Sequence, residues 1–167
     1  MTLIETITVG SGGATSLEFT GIDGEAKDLL CLVSAIDPAN ALKQLIMNIN
    51  DDYSNLSSLR LQGNGSIANS GTSTGSSGDD GISMGQITAS GNTANTAASY
   101  SIYISNYAGS TPKSFSVEHA GENNATLAVM SIRAGLYDST SPITSLQLSV
   151  QDSTFSEYST ASLYSIS

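Results

Sequence analysis

Helical periodicity is almost absent from this chain. Short apolar or alternating runs recur instead, each closed by a cluster of Gly, Asn, Asp or Ser. Alternation with period two sorts side chains onto the two faces of an extended strand, whereas a helix needs apolar residues three and four apart. The pattern therefore restricts the chain to an all-β fold.

The runs can be followed in order. Leu3 to Val9 is closed by Gly10-Ser11-Gly12-Gly13, which reads as a strand on a flexible joint, so residues 1–13 are set apart as an N-terminal arm. Ser16 to Ile22 follows, with Leu17 and Phe19 on one face. Leu29 to Ile36 is apolar on both faces and stops at Asp37-Pro38, as a central strand would. Ala41 to Asn50 could pass for a short helix, but the alternation Leu45, Met47, Ile49 favours a strand. Leu56 to Gln62 reads as a strand with Leu59 and Leu61 inward.

Residues 63–81 are rich in Gly, Ser, Thr and Asn and offer little apolar surface to bury, so they are expected to form a long surface loop or a partner-contacting arm. Further strands are expected over Ile82–Ala89, Tyr100–Ile104, Ser114–His119, Thr126–Ala134, Ile143–Val150 and Ala161–Ile166. About eight to ten strands with turn signals throughout fit a single two-layer sandwich over residues 14–167. Periodicity does not separate a jelly roll from an immunoglobulin-like sandwich. The lack of Trp and of a second cysteine weighs against the latter. Cys31, inside an apolar run, reads as a small buried hydrophobe.

Charge narrows the partners. The chain carries 15 acidic and 5 basic residues, a formal net charge of −10. A nucleic-acid backbone requires a basic patch, so nucleic acid is not an expected partner. No run approaches the roughly 20 apolar residues of a membrane-spanning helix, and Met1 to Val9 does not read as a signal peptide. Synthesis in a cytoplasm is expected, and the sequons at Asn55, Asn64 and Asn124 read as chance matches. Only 12% of residues are charged, against about 25% in typical domains. Ser, Thr, Asn and Gly take their place, giving a surface that loses little side-chain entropy when covered.

Catalytic and metal-binding signals are weak. Gly71-Thr72-Ser73-Thr74-Gly75 matches a nucleophile elbow, but that mechanism needs a strand before the serine and a helix after it, and Ser/Gly-rich segments flank it here. His119 is the sole histidine, placed at the end of an expected strand, and reads as an exposed or hydrogen-bonded side chain. Asp51 with Asp52, and Asp79 with Asp80, are the best metal candidates, although neither pair has a known calcium-loop spacing. No cofactor and no catalytic residue is expected, and the chain is read as a non-enzyme. Tyr100, Tyr103 and Tyr107 could form a row that stacks on sugar rings, or could instead plug the end of the sandwich.

From Tyr100 onward the chain resembles a known family. Ile102-Tyr103-Ile104-Ser105-Asn106-Tyr107 through Phe115 is similar to a strand-turn-strand unit of virion proteins from tailed phages, notably those of cyanobacteria and other aquatic bacteria. Pro142-Ile143-Thr144-Ser145-Leu146-Gln147-Leu148 and the closing stretch from Phe155 to Ile166 continue the likeness. Tyr158 and Ser165 stand where that family usually has glycine. The resemblance covers Tyr100 to Ser167 well and Leu17 to Leu61 loosely. It implies a jelly-roll protein of the virion surface, either a head decoration (cement) protein or a tail-fibre module, with no catalytic residues. On the first reading the partners are sister subunits, with a homotrimer expected, and the major capsid protein. On the second the partner is a host surface glycan, recognised at the tyrosines. Leu3, Ile4, Ile7 and Val9 would dock on the shell or a sister subunit, or would pair within their own sheet.

Overall fold

The computed structural model describes residues 1–38, 43–87, 96–122 and 128–167, and every regular element in it is a β-strand. The strands are β1 (Thr2–Thr8), β2 (Ser16–Thr20), β3 (Asp28–Ala35), β4 (Lys43–Ile49), β5 (Leu56–Gly63) and β6 (Ala68–Thr74). The second half adds β7 (Ile82–Ile87), β8 (Ala98–Ile104), β9 (Lys113–Glu122), β10 (Ala128–Tyr137), β11 (Ser145–Val150) and β12 (Thr160–Ile166). Parts of three expected strands, at residues 41–42, 88–89 and 126–127, lie outside the described residues, as does the Asn124 sequon. No helix among the described residues is long and apolar enough to cross a membrane.

Two antiparallel sheets pack as an open sandwich. The larger has the order β1-β12-β3-β8-β9-β10-β5-β6 and the smaller β2-β11-β4-β7. Within them β1 pairs with β12, β2 with β11, β3 with β8 and β4 with β7. That nesting is what results when one long hairpin is wrapped into two layers, and it is the connectivity of a jelly roll. The contacts β12–β3 and β11–β4 close the wrap. The remaining strands are two inserted hairpins, β5–β6 and β9–β10. Both add to the free side of β8 and widen one sheet from four strands to eight.

The core fills the space between the sheets, from alternate residues of each strand. Leu29, Cys31, Val33 and Ala35 of β3 face Leu45, Met47 and Ile49 of β4 and their neighbours in one continuous cluster. Cys31 is 1% exposed, and burial pushes its thiol pKa up to about 12, so it is held as an inert thiol.

Three local expectations need correcting. Residues 1–13 are not a separate arm. β1 pairs along its length with β12, Val9 is 4% exposed, and its amide donates to the Ser159 carbonyl at 2.9 Å. The Gly-rich joint is pinned as well, because Ala14 and Phe155 exchange two backbone hydrogen bonds of 3.0 and 2.7 Å. Residues 63–81 are not one long loop, since they contain β6, laid antiparallel along β5 from Ser57↔Thr74 to Gly63↔Ala68. An edge strand can be held by its backbone ladder without burying side chains, and β6 is almost wholly exposed. A glycine there serves packing: a Cβ on Gly75 would come within 1.7 Å of the Tyr53 carbonyl oxygen. Leu59 and Leu61, expected inward, are 53% and 54% exposed. Leu56, Ser58, Arg60 and Gln62 take the inner positions of β5 instead.

Candidate interaction surface

On β10 the outer positions are Met130, Ile132, Ala134 and Leu136, and the inner ones include Ser131 and Arg133. Register sets Ile132 beside Leu61 and Ala134 beside Leu59, and directly paired residues share a face. Met130, Ile132 and Leu136 are 61%, 49% and 40% exposed. These side chains with Leu59 and Leu61 leave on the order of 500 Å² of apolar surface open, in the range of a monomer's largest and often functional patch. Around them stand Ser57, Ser70, Thr72, Ser114 and Ser116, with Glu118 beside Ile132 as the nearest cross-strand charge.

The outer face is hollowed. One depression of about 720 Å³ runs from Leu32 and Tyr164 across Ser101 and Glu118 to Met130 and Ile132. Another of about 510 Å³ lies between Ile132, Leu61 and Ser70. Both are shallow and adjoin the apolar patch, so the face offers shape as well as hydrophobicity.

Beneath this patch the inner layer is polar. His119 is 4% exposed and stacks on Tyr100 with ring centroids 4.8 Å apart. Its Nε2 donates to the Gln86 carbonyl at 2.7 Å, and Nδ1 accepts from the Ser131 hydroxyl at 3.1 Å. The Tyr100 hydroxyl donates to the same Gln86 carbonyl at 2.8 Å. Two side chains of the large sheet thus grip one carbonyl of the small sheet. The fit depends on Gly85, at φ +137, where a Cβ would lie 2.9 Å from the His119 ring. Burial, reinforced by the nearby Arg133 charge and opposed by the bond to Gln86, brings the His119 pKa down to about 4. The imidazole is neutral at pH 7, and both ring nitrogens are already engaged.

The tyrosine row does not form. Tyr100 is 3% exposed and Tyr107 is fully buried, its hydroxyl donating to the Asp23 carbonyl at 2.6 Å. Tyr103 points to the other face, and its hydroxyl donates to Asp28 Oδ2 at 2.7 Å. Three residues at i, i+3 and i+7 cannot share one face of a strand and the turn after it, so no sugar-stacking platform is assembled from them.

The other candidates are dispersed. Asp52 accepts from the Ser54 amide and hydroxyl and from Asn55 Nδ2. The Asn55 amide above all holds its carboxyl below the usual range. Asp51 instead borders a polar hollow with Glu18, Asn48 and Gln147 on the outer face of the small sheet. Asp79 accepts from Gln151 Nε2, and the Asp80 carbonyl accepts from Asn48 Nδ2. No group of three or more His, Cys, Asp or Glu among the described residues could hold a metal ion. Ser73 lies on edge strand β6, opposite Ser58, without the helix a nucleophile elbow requires. Of the docking candidates, Leu3 and Ile4 are exposed on the edge strand, while Ile7 and Val9 pack into the core.

The exposed leucines and the polar layer behind them were not foreseen. The alternation of β5 and β10 was visible, but alternation alone does not say which face turns inward. Comparison with known proteins found no matching protein family, curated protein or solved structure.

Proposed function

We propose that this chain is a non-enzymatic structural protein of a phage virion, a decoration (cement) protein that docks on the outer capsid through the wide face of its eight-stranded sheet. The observation that carries this reading is the outward placement of Leu59, Leu61, Met130, Ile132 and Leu136 on a face where charge is sparse. Apolar side chains ringed by Ser and Thr suit a repeated contact, because covering them costs little entropy and leaves Glu118 as the one adjacent charge to be matched. The likeness of Tyr100 to Ser167 to phage virion proteins supplies the kind of assembly. The jelly roll itself does not, since folds host many functions.

Such a protein would work by linkage, binding the assembled lattice and not its separated parts. Trimerisation would strengthen it, because second and third contacts become intramolecular once the first has formed. The test is to strip the protein from particles and heat them. Stripped particles should open at lower temperature than complete ones, and adding the purified chain back should restore them, with hundreds of copies per particle. Equal robustness of both, together with a few dozen copies or fewer and failed host attachment, would favour the fibre reading instead.

A further inference from the structure

Six buried side-chain polar atoms among the described residues have no hydrogen-bond partner, and four of them fall in one place: Ser58 Oγ, Arg60 Nε, Arg133 Nε and Arg133 Nη1. All four can donate. Arg60 stands directly opposite Arg133 in the β5–β10 ladder, and Ser58 is opposite Gly135, the next inner position along. Like charges directly opposite each other destabilise a sheet, and a buried charge without a partner is costlier still. Native structures satisfy nearly all such groups, so a cluster of unsatisfied donors points to a missing acceptor.

Among the described residues no acceptor is supplied. The ion pair among the described residues is Lys43 with Asp152, at 4.0 Å, so no described carboxylate comes within 4 Å of either guanidinium. Residues 39–42, 88–95 and 123–127 contain no Asp or Glu. An acidic chain with 15 carboxylates thus sets two of its 5 cations side by side, with no ion pair to either among the described residues. Arg133 is 3% exposed, and among the described residues its side chain donates from Nη2 to Ser83 Oγ at 3.4 Å. Arg60 lies over Gly71 of β6, where even a Cβ would approach its Nη2 to 3.3 Å. Burial first and the Arg60 charge second bring the Arg133 pKa down to about 10, which leaves it charged at neutral pH.

We propose that Ser58, Arg60 and Arg133 form a binding site for one small tetrahedral oxyanion, phosphate or sulfate. Guanidinium N–H groups suit such oxygens, and a tetrahedral anion can accept from several donors on two neighbouring strands at once. The bound anion cancels the repulsion between the arginines and ties β5 to β10 from behind the apolar face. The inference stands on the unsatisfied donors and does not depend on the docking role proposed above.

The test uses the full chain, exchanged into phosphate- and sulfate-free buffer and melted with sodium phosphate or with chloride at equal ionic strength. Phosphate should raise Tm by about 5–10 °C at a hundred times its dissociation constant, and titration calorimetry should give one site per chain. Arg60→Gln should abolish the shift while melting no lower than the parent chain in anion-free buffer, because it relieves the repulsion. Lys43→Gln, away from the site, should keep the shift. Arg60 is the half-buried member, so its variant remains testable if Arg133→Gln fails to fold. Equal melting in phosphate and chloride would mean that water alone fills the site, and would overturn the proposal. So would an undiminished shift in Arg60→Gln, or stabilisation by an acidic peptide but not by phosphate or sulfate.

Discussion

The two halves of the large sheet are built with opposite polarity. Where β1, β12, β3 and β8 face the smaller sheet, the inner positions are Ala161, Leu163, Cys31, Val33 and Ile102, all buried. Along β10 and β5 the inner positions instead include Ser131, Arg133, Ser58, Arg60 and Gln62 between the buried apolar Val129, Leu56 and Tyr137, while Leu59, Leu61, Leu136, Ile132 and Met130 turn outward. The same twisted ladder runs through both, so backbone pairing does not dictate which face is apolar. In the first half an opposing sheet removes water from the inner face. In the second, the large apolar side chains stand on the solvent face.

The contrast can be broken most severely at β1. Deleting Met1 to Val9 removes a whole ladder and the core residue Val9, and should cost on the order of 5 kcal/mol or more, comparable to total domain stability. Circular dichroism should show loss of the cooperative transition; a folded, cooperative deletion variant would return β1 to the status of a detachable arm. Next comes the core of the covered half. Ile102→Ala should lower unfolding free energy by about 2–5 kcal/mol in denaturant titrations.

At the border of the two halves His119 makes the contrast pH-dependent. Its folded pKa of about 4 lies below the unfolded value of 6.5. The unfolded chain therefore binds the proton first. Stability from this group is full above pH 6.5, declines as pH falls from 6.5 to 4, and is lost below that, a change approaching about 3 kcal/mol. His119→Gln should flatten the dependence in that window, measured as Tm against pH. A smaller effect is expected at Tyr158, which is 69% exposed and adopts φ +72. Tyr158→Gly should relieve the left-handed strain and leave unfolding free energy equal or higher, by up to about 1 kcal/mol, read from denaturant titration. Smallest of all, Leu61→Ser on the uncovered half should change stability by no more than about 0.5 kcal/mol. The same variant should weaken binding to stripped particles, which separates surface work from core work.

Much of this was readable in the chain before any coordinates. The runs at Leu29, Tyr100, Ser114 and Ile143 carry enough β-branched and alternating character to announce strands, and the missing helical period fixes the class. β6 was hidden because a strand held by its ladder needs no apolar signature. The facing of β5 was misread because Leu59 and Leu61 are apolar and core is the usual home for leucine. The arginine pair was invisible because Arg60 and Arg133 are far apart in sequence and meet only through register. Tyr158 is the reverse case: a bulky aromatic side chain gives no hint of the left-handed, glycine-like backbone it adopts.

The pairing of β1 with β12 has a mechanical consequence. Thr2 sits opposite Ser165 at one end of that ladder, and Thr8 opposite Thr160 at the other. Tension drawing residues 2 and 165 apart would part the ladder rung by rung, as a zip opens, with each hydrogen bond resisting alone. A load spread over the broad faces would strain many rungs together. A molecule with its ends arranged this way resists being pressed or sheared across its sheets far better than being hung from its termini.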